Sequence, residues 1–351
     1  MTSTLFLSDA ITALVAPDAY DPVHEAVRAP SLFSRKGQVK RSASTHLEAL
    51  GRNDDVVACL PLGATNCQTL KVSAQIGRQV SHGDISDAVE VALSKAGAPG
   101  FAVVCAEPTE IQLDGEVIDG SAVGKPAGRL DMVVTAFLSP LNLLADLEKA
   151  AAQGGLKLKG VMAAEEALSA SLGPDRQAVL LVDTWTTKLV VLAPDGVGGS
   201  VTVPIGSGHL ALDLKLSFDL TDAAADKLAE RFLLDRCSAA DIEKVEVAAA
   251  RLEELTSACC DAASTAELRF NEALLLGLPS SPRVVEAWAE AGAEVRAPGL
   301  RLPKTSPPLL TLIRGATKLA AGAVPRARAM ALQLDVPPEP SGTVEWLKKN
   351  F

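Results

Sequence analysis

Residues 178–209 read AVLLVDTWTTKLVVLAPDGVGGSVTVPIGSGH, and the order of apolar runs and turns in this stretch decides the fold. The apolar runs Ala178–Val182 and Leu189–Leu192 lie on either side of a turn that begins with an aspartate. A third run, Ser200–Ile205, alternates apolar and polar residues, and a glycine-rich turn then opens a helical pattern through Phe218. Short β-branched runs separated by turn residues are typical of a β-meander. The stretch therefore predicts three meandering strands followed by a helix.

The composition excludes several classes of protein. The chain has 351 residues, which exceeds one typical domain and predicts two lobes or several subdomains. Apolar residues make up 48% and aromatic residues only 3%, so Val, Leu and Ala must fill the cores. The net charge of −10 argues against a nucleic-acid partner, which needs a basic face. Met1–Val15 lacks the features of a signal peptide, and no apolar stretch approaches the roughly 20 residues of a membrane span, so a cytoplasmic protein is expected.

The sequence contains no recognisable catalytic or metal-binding pattern. Its six cysteines form neither a Cys-x-x-Cys motif nor a Cys/His cluster, which predicts buried reduced thiols rather than disulfides or a zinc site. The four histidines are scattered, and His209 is most simply a turn residue. No serine or cysteine lies in a nucleophile-elbow sequence. We therefore expect a protein that is not an enzyme and that holds no metal.

Strand-rich and helical segments alternate before the meander. Residues 18–44 predict a loop and linker because they are polar and contain several prolines. Ser81-His82-Gly83-Asp84 predicts the start of a helix over Ile85–Lys95, with the Asp84 carboxylate suited to the free amides of its first turn. No internal repeat is detectable. Three further helices are predicted over Leu141–Gln153, Thr221–Leu234 and Ala239–Ala263.

Seven short motifs follow one another between about Ile76 and Gly322. In chain order they are Gly83–Asp87, Asp114–Gly120 with Gly124–Leu130, Leu156–Val161 with Glu165–Leu168, Val182–Thr187, Gly206–Asp213, Leu276–Pro279 and Ser306–Pro308. Their order and spacing resemble the bacterial division family FtsA, an actin-like membrane tether of FtsZ that carries an inserted 1C or SHS2 subdomain. The meander by itself resembles the second half of an actin/Hsp70-type domain.

The resemblance implies an α/β fold of the actin/Hsp70 superfamily, two-lobed and actin-like, with an inserted SHS2/1C-type α+β subdomain. The first lobe would comprise residues 1–44 and 156–176, with residues 306–335 returning to it. The insert would span residues 45–155, and the second lobe residues 177–305, including a helical 2B-like part at 219–270. The chain would end in a Pro-rich linker at 336–342 and an amphipathic helix at 343–351.

The resemblance also places a nucleotide cleft at the turns where this sequence departs from the family. Trp185 and three threonines stand where glycines would let the backbone approach a phosphate, and the glycine expected after Asp9 is absent. We therefore expect a degenerate site whose turns are structural, with no cofactor and with residual ATP/Mg binding as the alternative. The positions that correspond to the ATP site are Asp9, Asp183, Thr184, Thr186, Thr187, Gly206, Gly208, Asp226, Lys227 and Gly277.

The C-terminal residues predict a membrane-binding helix after the Pro-rich linker. At about 100° per residue, Val344, Leu347 and Phe351 share one side, with Trp346 beside them and Lys348 and Lys349 opposite. Such a helix resembles the terminal membrane helix of FtsA, with apolar anchors for the bilayer and lysines for anionic headgroups. The alternative is a terminus that docks on the body of the protein itself.

Three functions remain open from the sequence. The first is an FtsA-like adaptor that self-associates, tethers FtsZ through its C-terminal peptide, contacts other division proteins, and lies peripherally on the inner face of the cell membrane at the division site. The second is a PilM-like cytoplasmic scaffold of a pilus or secretion machine, and the third is a residual ATP-binding actin-like protein. In the first function, the helices of residues 221–270 would bind the FtsZ peptide. Four basic residues of this region either contact an acidic peptide or simply form a solvated face: Arg231, Arg236, Lys244 and Arg251.

Overall fold

Three β-sheets and the helices packed on them make up the part of the chain that the structure describes. The structure is a computed structural model. It describes residues 2–9, 11–16, 19, 21, 25–34, 37–50, 55–96, 99–172, 178–193, 196–296, 312–313, 315–317 and 319. The Pro-rich linker and the predicted membrane-binding helix lie outside these residues.

Two of the sheets have five strands each and the same topology. The first consists of β1 (Ser3–Leu7), β2 (Ile11–Val15), β3 (Val27–Pro30), β4 (Asp55–Cys59) and β9 (Lys157–Met162), in the order β3-β2-β1-β4-β9. The second consists of β10 (Ala178–Val182), β11 (Thr187–Ala193), β12 (Gly196–Val203), β13 (Glu272–Leu276) and β14 (Glu294–Arg296), in the order β12-β11-β10-β13-β14. In each sheet three strands form an antiparallel meander and two more continue it in parallel. The chain is therefore a structural duplication that its sequence does not reveal.

The third sheet and one helix form an inserted unit between β4 and β9. Its strands are β5 (Asn66–Gln79), β6 (Phe101–Leu113), β7 (Glu116–Val117) and β8 (Pro126–Pro140), in the order β5-β8-β6-β7. Helix α2 (His82–Lys95) packs on it and begins with a capping box in which the side chains of Ser81 and Asp84 each accept from the other's backbone amide. The other helices are α1 (Ala43–Glu48), α3 (Leu141–Gln153), α4 (Ala164–Leu172), α5 (Ser207–Phe218), α6 (Asp222–Leu233), α7 (Ile242–Thr265) and α8 (Pro282–Glu290).

The inserted unit is smaller than the sequence predicted. Its sheet and helix occupy residues 66–140, whereas β4 pairs with β1 and β9 in the first sheet. Helix α3 buries Leu144, Leu147 and Ala151 in the core of the first sheet. The expected loop over residues 18–44 also contains β3, which pairs with β2. Pairing between distant segments outweighs the polar, proline-rich composition of residues 18–44.

The second sheet is covered on both faces. From β10, Val179 and Leu181 face a core shared with the first sheet, whereas Ala178, Leu180 and Val182 face the helices α5 to α8. A strand buried on both faces needs an unbroken apolar run, and residues 178–182 supply one. The cores of the two lobes therefore meet across β10, and the turns at its end lie between the lobes.

A buried ion pair joins the three units. Lys188 on β11 and Glu165 on α4 are both fully buried, and Lys188 Nζ lies 2.5 Å from Glu165 Oε1. Lys188 also donates to the carbonyl and hydroxyl oxygens of Thr65, just before β5, at 3.0 and 2.9 Å. The hydroxyls of Thr65 and Ser200 donate to the Glu165 carboxylate at 3.0 and 3.1 Å. These contacts satisfy the two charges that the core encloses.

We predict that Glu165→Gln destabilises the protein by about 3–5 kcal/mol, because it leaves the Lys188 charge buried without its counter-ion. The double variant Glu165→Gln/Lys188→Met should recover much of this loss, because both buried charges are then gone. Chemical denaturation would measure both. The matched control is Lys159→Ala, which breaks the exposed 3.5 Å pair with Asp55 and should cost at most about 1 kcal/mol. Equal losses for Glu165→Gln and the control would contradict the prediction.

Candidate functional site

The first turn of each five-stranded sheet carries an aspartate, and the two turns meet between the lobes. Asp9 follows β1 and Asp183 follows β10, at equivalent positions of the duplicated topology. The Asp9 amide donates to Asp183 Oδ2 at 3.4 Å. In return, the Trp185 amide and the Thr186 hydroxyl donate to the Asp9 carboxylate. The turns therefore hold each other.

Burial changes the acidity of both aspartates. It raises the pKa of Asp9 to about 6, with a further contribution from the negative charge of Asp183. The hydrogen bonds from Trp185 and Thr186 oppose this rise. Burial also raises the pKa of Asp183, against the effect of hydrogen bonds from the Thr184 and Asp9 amides. Burial thus disfavours the charged forms of both carboxyls, and a nucleotide would bring further negative charge to the same place.

The backbone amides of the two turns in the second lobe are already bonded within the protein. The amides of Ser207 and Gly208, at the start of α5, donate to the carbonyls of Asp183 and Thr184 at 3.0 and 2.7 Å. The Gly206 amide donates to His209 Nδ1 at 3.1 Å. The Asp183 and Thr184 amides bond within their own turn, to the Thr186 carbonyl and to Asp183 Oδ1. Phosphate binding at a helix N-terminus uses such amides, so a phosphate would have to displace these bonds.

Both glycines of the second turn are required by packing. A Cβ atom at Gly206 would lie 2.4 Å from the Asp183 carbonyl oxygen, and one at Gly208 would lie 2.7 Å from Thr184 Cγ2. The Trp185 ring contacts the His209 ring edge-on, with 5.2 Å between centroids. The glycines therefore let the two turns touch, and the tryptophan lies against the helix start that would face a phosphate.

Two cavities flank the paired turns. One, of about 350 Å³, lies at the junction of all three units and is lined by Asp9, Trp185, Thr186 and His209 together with residues such as Gly63 and Leu143. The other, of about 420 Å³, is lined mainly by apolar residues of α5 and α6, with Asp226, Glu230 and Gly277 among its lining. The first cavity has the two turns as one wall, and the lining of the second includes two acidic side chains.

The expected ATP-site residues fall into three groups. Asp9, Asp183, Thr184 and Thr186 meet at the paired turns, and Gly206 and Gly208 pack on them. Asp226 and Gly277 line the second cavity with Thr184 and Gly208. The other two residues lie elsewhere: Thr187 is buried within β11, and Lys227 is exposed on α6 and does not line either cavity.

Two of the four basic residues expected to meet a partner peptide form ion pairs within the second lobe. Arg231 pairs with Asp241 at 2.8 Å, and Arg251 pairs with Asp213 and Glu254. The Lys244 ammonium lies over the Phe218 ring, 5.9 Å from its centroid. The Arg236 carbonyl accepts a hydrogen bond from Arg231. Local ion pairs therefore reduce the basic character of this surface, which favours the interpretation of a solvated face.

Several interacting residues were not identifiable from the sequence. The Lys188–Glu165–Thr65 cluster joins positions that are 23 and more residues apart. The single available signal was a lysine inside the apolar run Thr187–Ala193, where a charge is unusual. The predicted membrane-binding residues, Val344, Trp346, Leu347, Lys348, Lys349 and Phe351, lie outside the described residues. Within the described residues, no helix is long and apolar enough to cross a membrane.

Comparison with known proteins shows the fold. No family model matches the sequence, and no curated protein matches it either. A chain of the PilM-PilN type IV pilus biogenesis complex is similar in structure, with a TM-score of 0.63, 16% identity, and coverage of 91% of this chain and 98% of that one. The ethanolamine utilization protein EutJ from Carboxydothermus hydrogenoformans has a TM-score of 0.50 at 15% identity, with coverage of 90% and 88%. These similarities, with the duplicated sheets, show a mixed α/β fold of the actin-like ATPase type.

We predict that stability falls as pH rises through the range in which Asp9 loses its proton. Its pKa is about 6 in the folded protein and 3.8 in a model peptide, so the unfolded chain loses this proton first. The free energy of unfolding should therefore fall by up to about 3 kcal/mol between pH 4 and pH 6 and stay low above it. In Asp9→Asn this fall should be much smaller, and the variant should be more stable than the wild type at pH 7.

Urea denaturation at several pH values would measure the effect. Asp87→Asn, a change at an exposed position of α2, is the matched control and should keep the wild-type pH dependence. If the stability of Asp9→Asn depends on pH as that of the wild type does, the Asp9 carboxylate is not responsible for the fall in stability.

Proposed function

We propose that this actin-like chain is a scaffold that does not use ATP and that binds a peptide segment of a membrane-associated machine. The observation that supports this most directly is the state of the paired turns. The Ser207 and Gly208 amides are bonded to the Asp183 and Thr184 carbonyls, and Trp185 lies against the helix start. Two partly buried aspartates remain there, and the negative charge of their ionised forms opposes a polyphosphate. A fold of this kind without a working phosphate site serves as a rigid body that presents surfaces.

The kind of machine is inferred from the structural similarity. The match to the PilM-PilN chain covers 91% of this chain, and that protein forms a complex with PilN. A PilM-like role would place this protein in the cytoplasm, on the inner face of the cell membrane, bound to the cytoplasmic segment of a membrane partner. The three joined units and their interlobe core supply the rigidity that such a scaffold needs.

A second candidate is the FtsA-like adaptor, and the C-terminal sequence favours it. Trp346 and Phe351 with Lys348 and Lys349 are the residues of an interfacial anchor, and a PilM-like scaffold has no need of one. In this role the protein would self-associate, hold the FtsZ C-terminal peptide on the second lobe, and contact other division proteins through the inserted unit. An isolated tail of this length binds lipid weakly, so stable attachment requires several tails in one assembly.

We predict that the full chain binds a synthetic peptide of the cytoplasmic N-terminus of a PilN-type protein and not a synthetic FtsZ C-terminal peptide. Fluorescence anisotropy with labelled peptides would measure both, with and without Mg-ATP. The affinity should be the same in both conditions because the turns are closed to phosphate. The opposite peptide preference would support the adaptor, and binding of neither peptide would contradict both roles. A clear effect of Mg-ATP would contradict the closed site.

The variant Arg236→Glu tests whether the FtsZ peptide binds on the second lobe. Arg236 is exposed, and the contact that holds it uses its backbone carbonyl, so the substitution should leave the fold intact. Weaker binding of the FtsZ peptide by Arg236→Glu, and not by the matched surface change Lys125→Glu on the inserted unit, would place an acidic peptide on the second lobe.

Co-sedimentation with anionic liposomes tests the membrane anchor. If the tail inserts, Trp346→Glu and deletion of residues 343–351 should each reduce pelleting several-fold, because a charge replaces the main interfacial side chain or the anchor is removed. Lys125→Glu should pellet as the wild type does. Unchanged pelleting in both tail variants would remove the support for the FtsA-like role and leave the PilM-like role.

A further inference from the structure

Three donor side chains converge at the junction of the lobes and the inserted unit. Cys105 and Glu107 lie two residues apart on β6, and Glu166 lies on α4. The Cys105 sulfur and one carboxylate oxygen from each glutamate lie within 4.8 Å of one another. Their residues are 2%, 8% and 3% exposed. A thiol and two carboxylates in the interior differ from the surface clusters of acidic residues that are common in proteins.

Backbone amides hold both carboxylates in place. The Ala163 amide donates to Glu166 Oε2 at 2.8 Å, at the start of α4, and the Val197 amide on β12 donates to Glu107 Oε2 at 3.4 Å. The approach of Glu107 to β12 depends on Gly196, where a Cβ atom would lie 2.3 Å from Glu107 Oε2. Hydrogen bonds of this kind, from groups that do not themselves contact the ion, orient the carboxylates of metal sites.

The chemistry of the three donors indicates the class of ion. We propose that Cys105, Glu107 and Glu166 bind one divalent transition-metal ion, with Zn²⁺ as the best match. A thiolate ligand disfavours Mg²⁺ and Ca²⁺, which prefer oxygen alone. Zinc accepts sulfur and carboxylate oxygen together, and three protein ligands leave a fourth position for water. The ion would also balance the negative charge of the two carboxylates and the thiolate.

The position of the site gives the ion a structural role. Cys105 and Glu107 belong to the inserted unit and Glu166 to the first lobe, while Val197, which holds Glu107, belongs to the second lobe. A bound ion would fasten the inserted unit to both lobes. This inference goes beyond the proposed scaffold role and does not depend on which partner the protein binds.

Cobalt is the probe, because a cobalt–thiolate bond gives a charge-transfer absorption in the near ultraviolet. The full chain, stripped of metal by chelator and dialysed under reducing conditions, would be titrated with Co²⁺ and then with Zn²⁺. We expect one equivalent of Co²⁺ to bind with this absorption and Zn²⁺ to displace it. Zn²⁺ should also raise the thermal unfolding temperature of the wild type.

Variants assign the ligands. Cys105→Ser should abolish the absorption, and Glu107→Gln should weaken Co²⁺ binding by about tenfold or more. Cys237→Ser, at a partly buried position against the helical core of the second lobe, is the matched control and should behave as the wild type. If Cys105→Ser does not fold, the Co²⁺ affinity of folded Glu107→Gln tests the proposal instead, and a loss of that affinity would support it. Absence of the band in the folded wild type, its persistence in Cys105→Ser, or unchanged affinity in Glu107→Gln would overturn the proposal.

Discussion

The buried pair of Lys188 and Glu165 is the contact on which the arrangement of the three units depends. Two opposite charges with no exposed surface are tolerated only when every hydrogen-bonding position is filled, and here Thr65 and Ser200 fill them. Glu165 comes from the first lobe, Lys188 and Ser200 from the second, and Thr65 from the entry to the inserted unit. Moving any one unit would leave a charge in an apolar core. The closed arrangement of the lobes is therefore specified by a polar cluster as well as by apolar packing.

This arrangement explains the state of the cleft. Because the lobes share one core across β10, the turns after β1 and β10 are held close enough for the Asp9 amide to donate to Asp183 Oδ2. Within the second lobe, the Gly206–Gly208 turn packs against the Asp183 carbonyl. Amides that could face an anion are then bonded to carbonyls of the protein.

Much of the fold was predictable, and the reasons differ between elements. The meander was predicted correctly because a strand buried on both faces must be apolar throughout, and residues 178–182 are. The start of α2 was predicted because Ser81 and Asp84 form a local capping box. β3 was missed, since its four mostly exposed residues are held by pairing with β2 rather than by a local pattern. The limits of the inserted unit were misplaced, because β4 looks like any apolar strand until its partner β1 is known.

The sequence by itself determined the order of strands and turns in the meander, the absence of glycine from the Asp183 turn, and the acidic, aromatic-poor composition. These are local properties, because they follow from the spacing of apolar residues, the residue types at turns and the charges of neighbouring residues. Only the tertiary structure decided that Gly206 and Gly208 serve contact between turns, that Lys188 meets Glu165, and that Cys105 lies beside Glu107 and Glu166. Each of these depends on residues from separate elements, and their spacing carries no signal because the elements must pack together before the residues meet. For the Lys188 and Cys105 contacts, separate units must also dock.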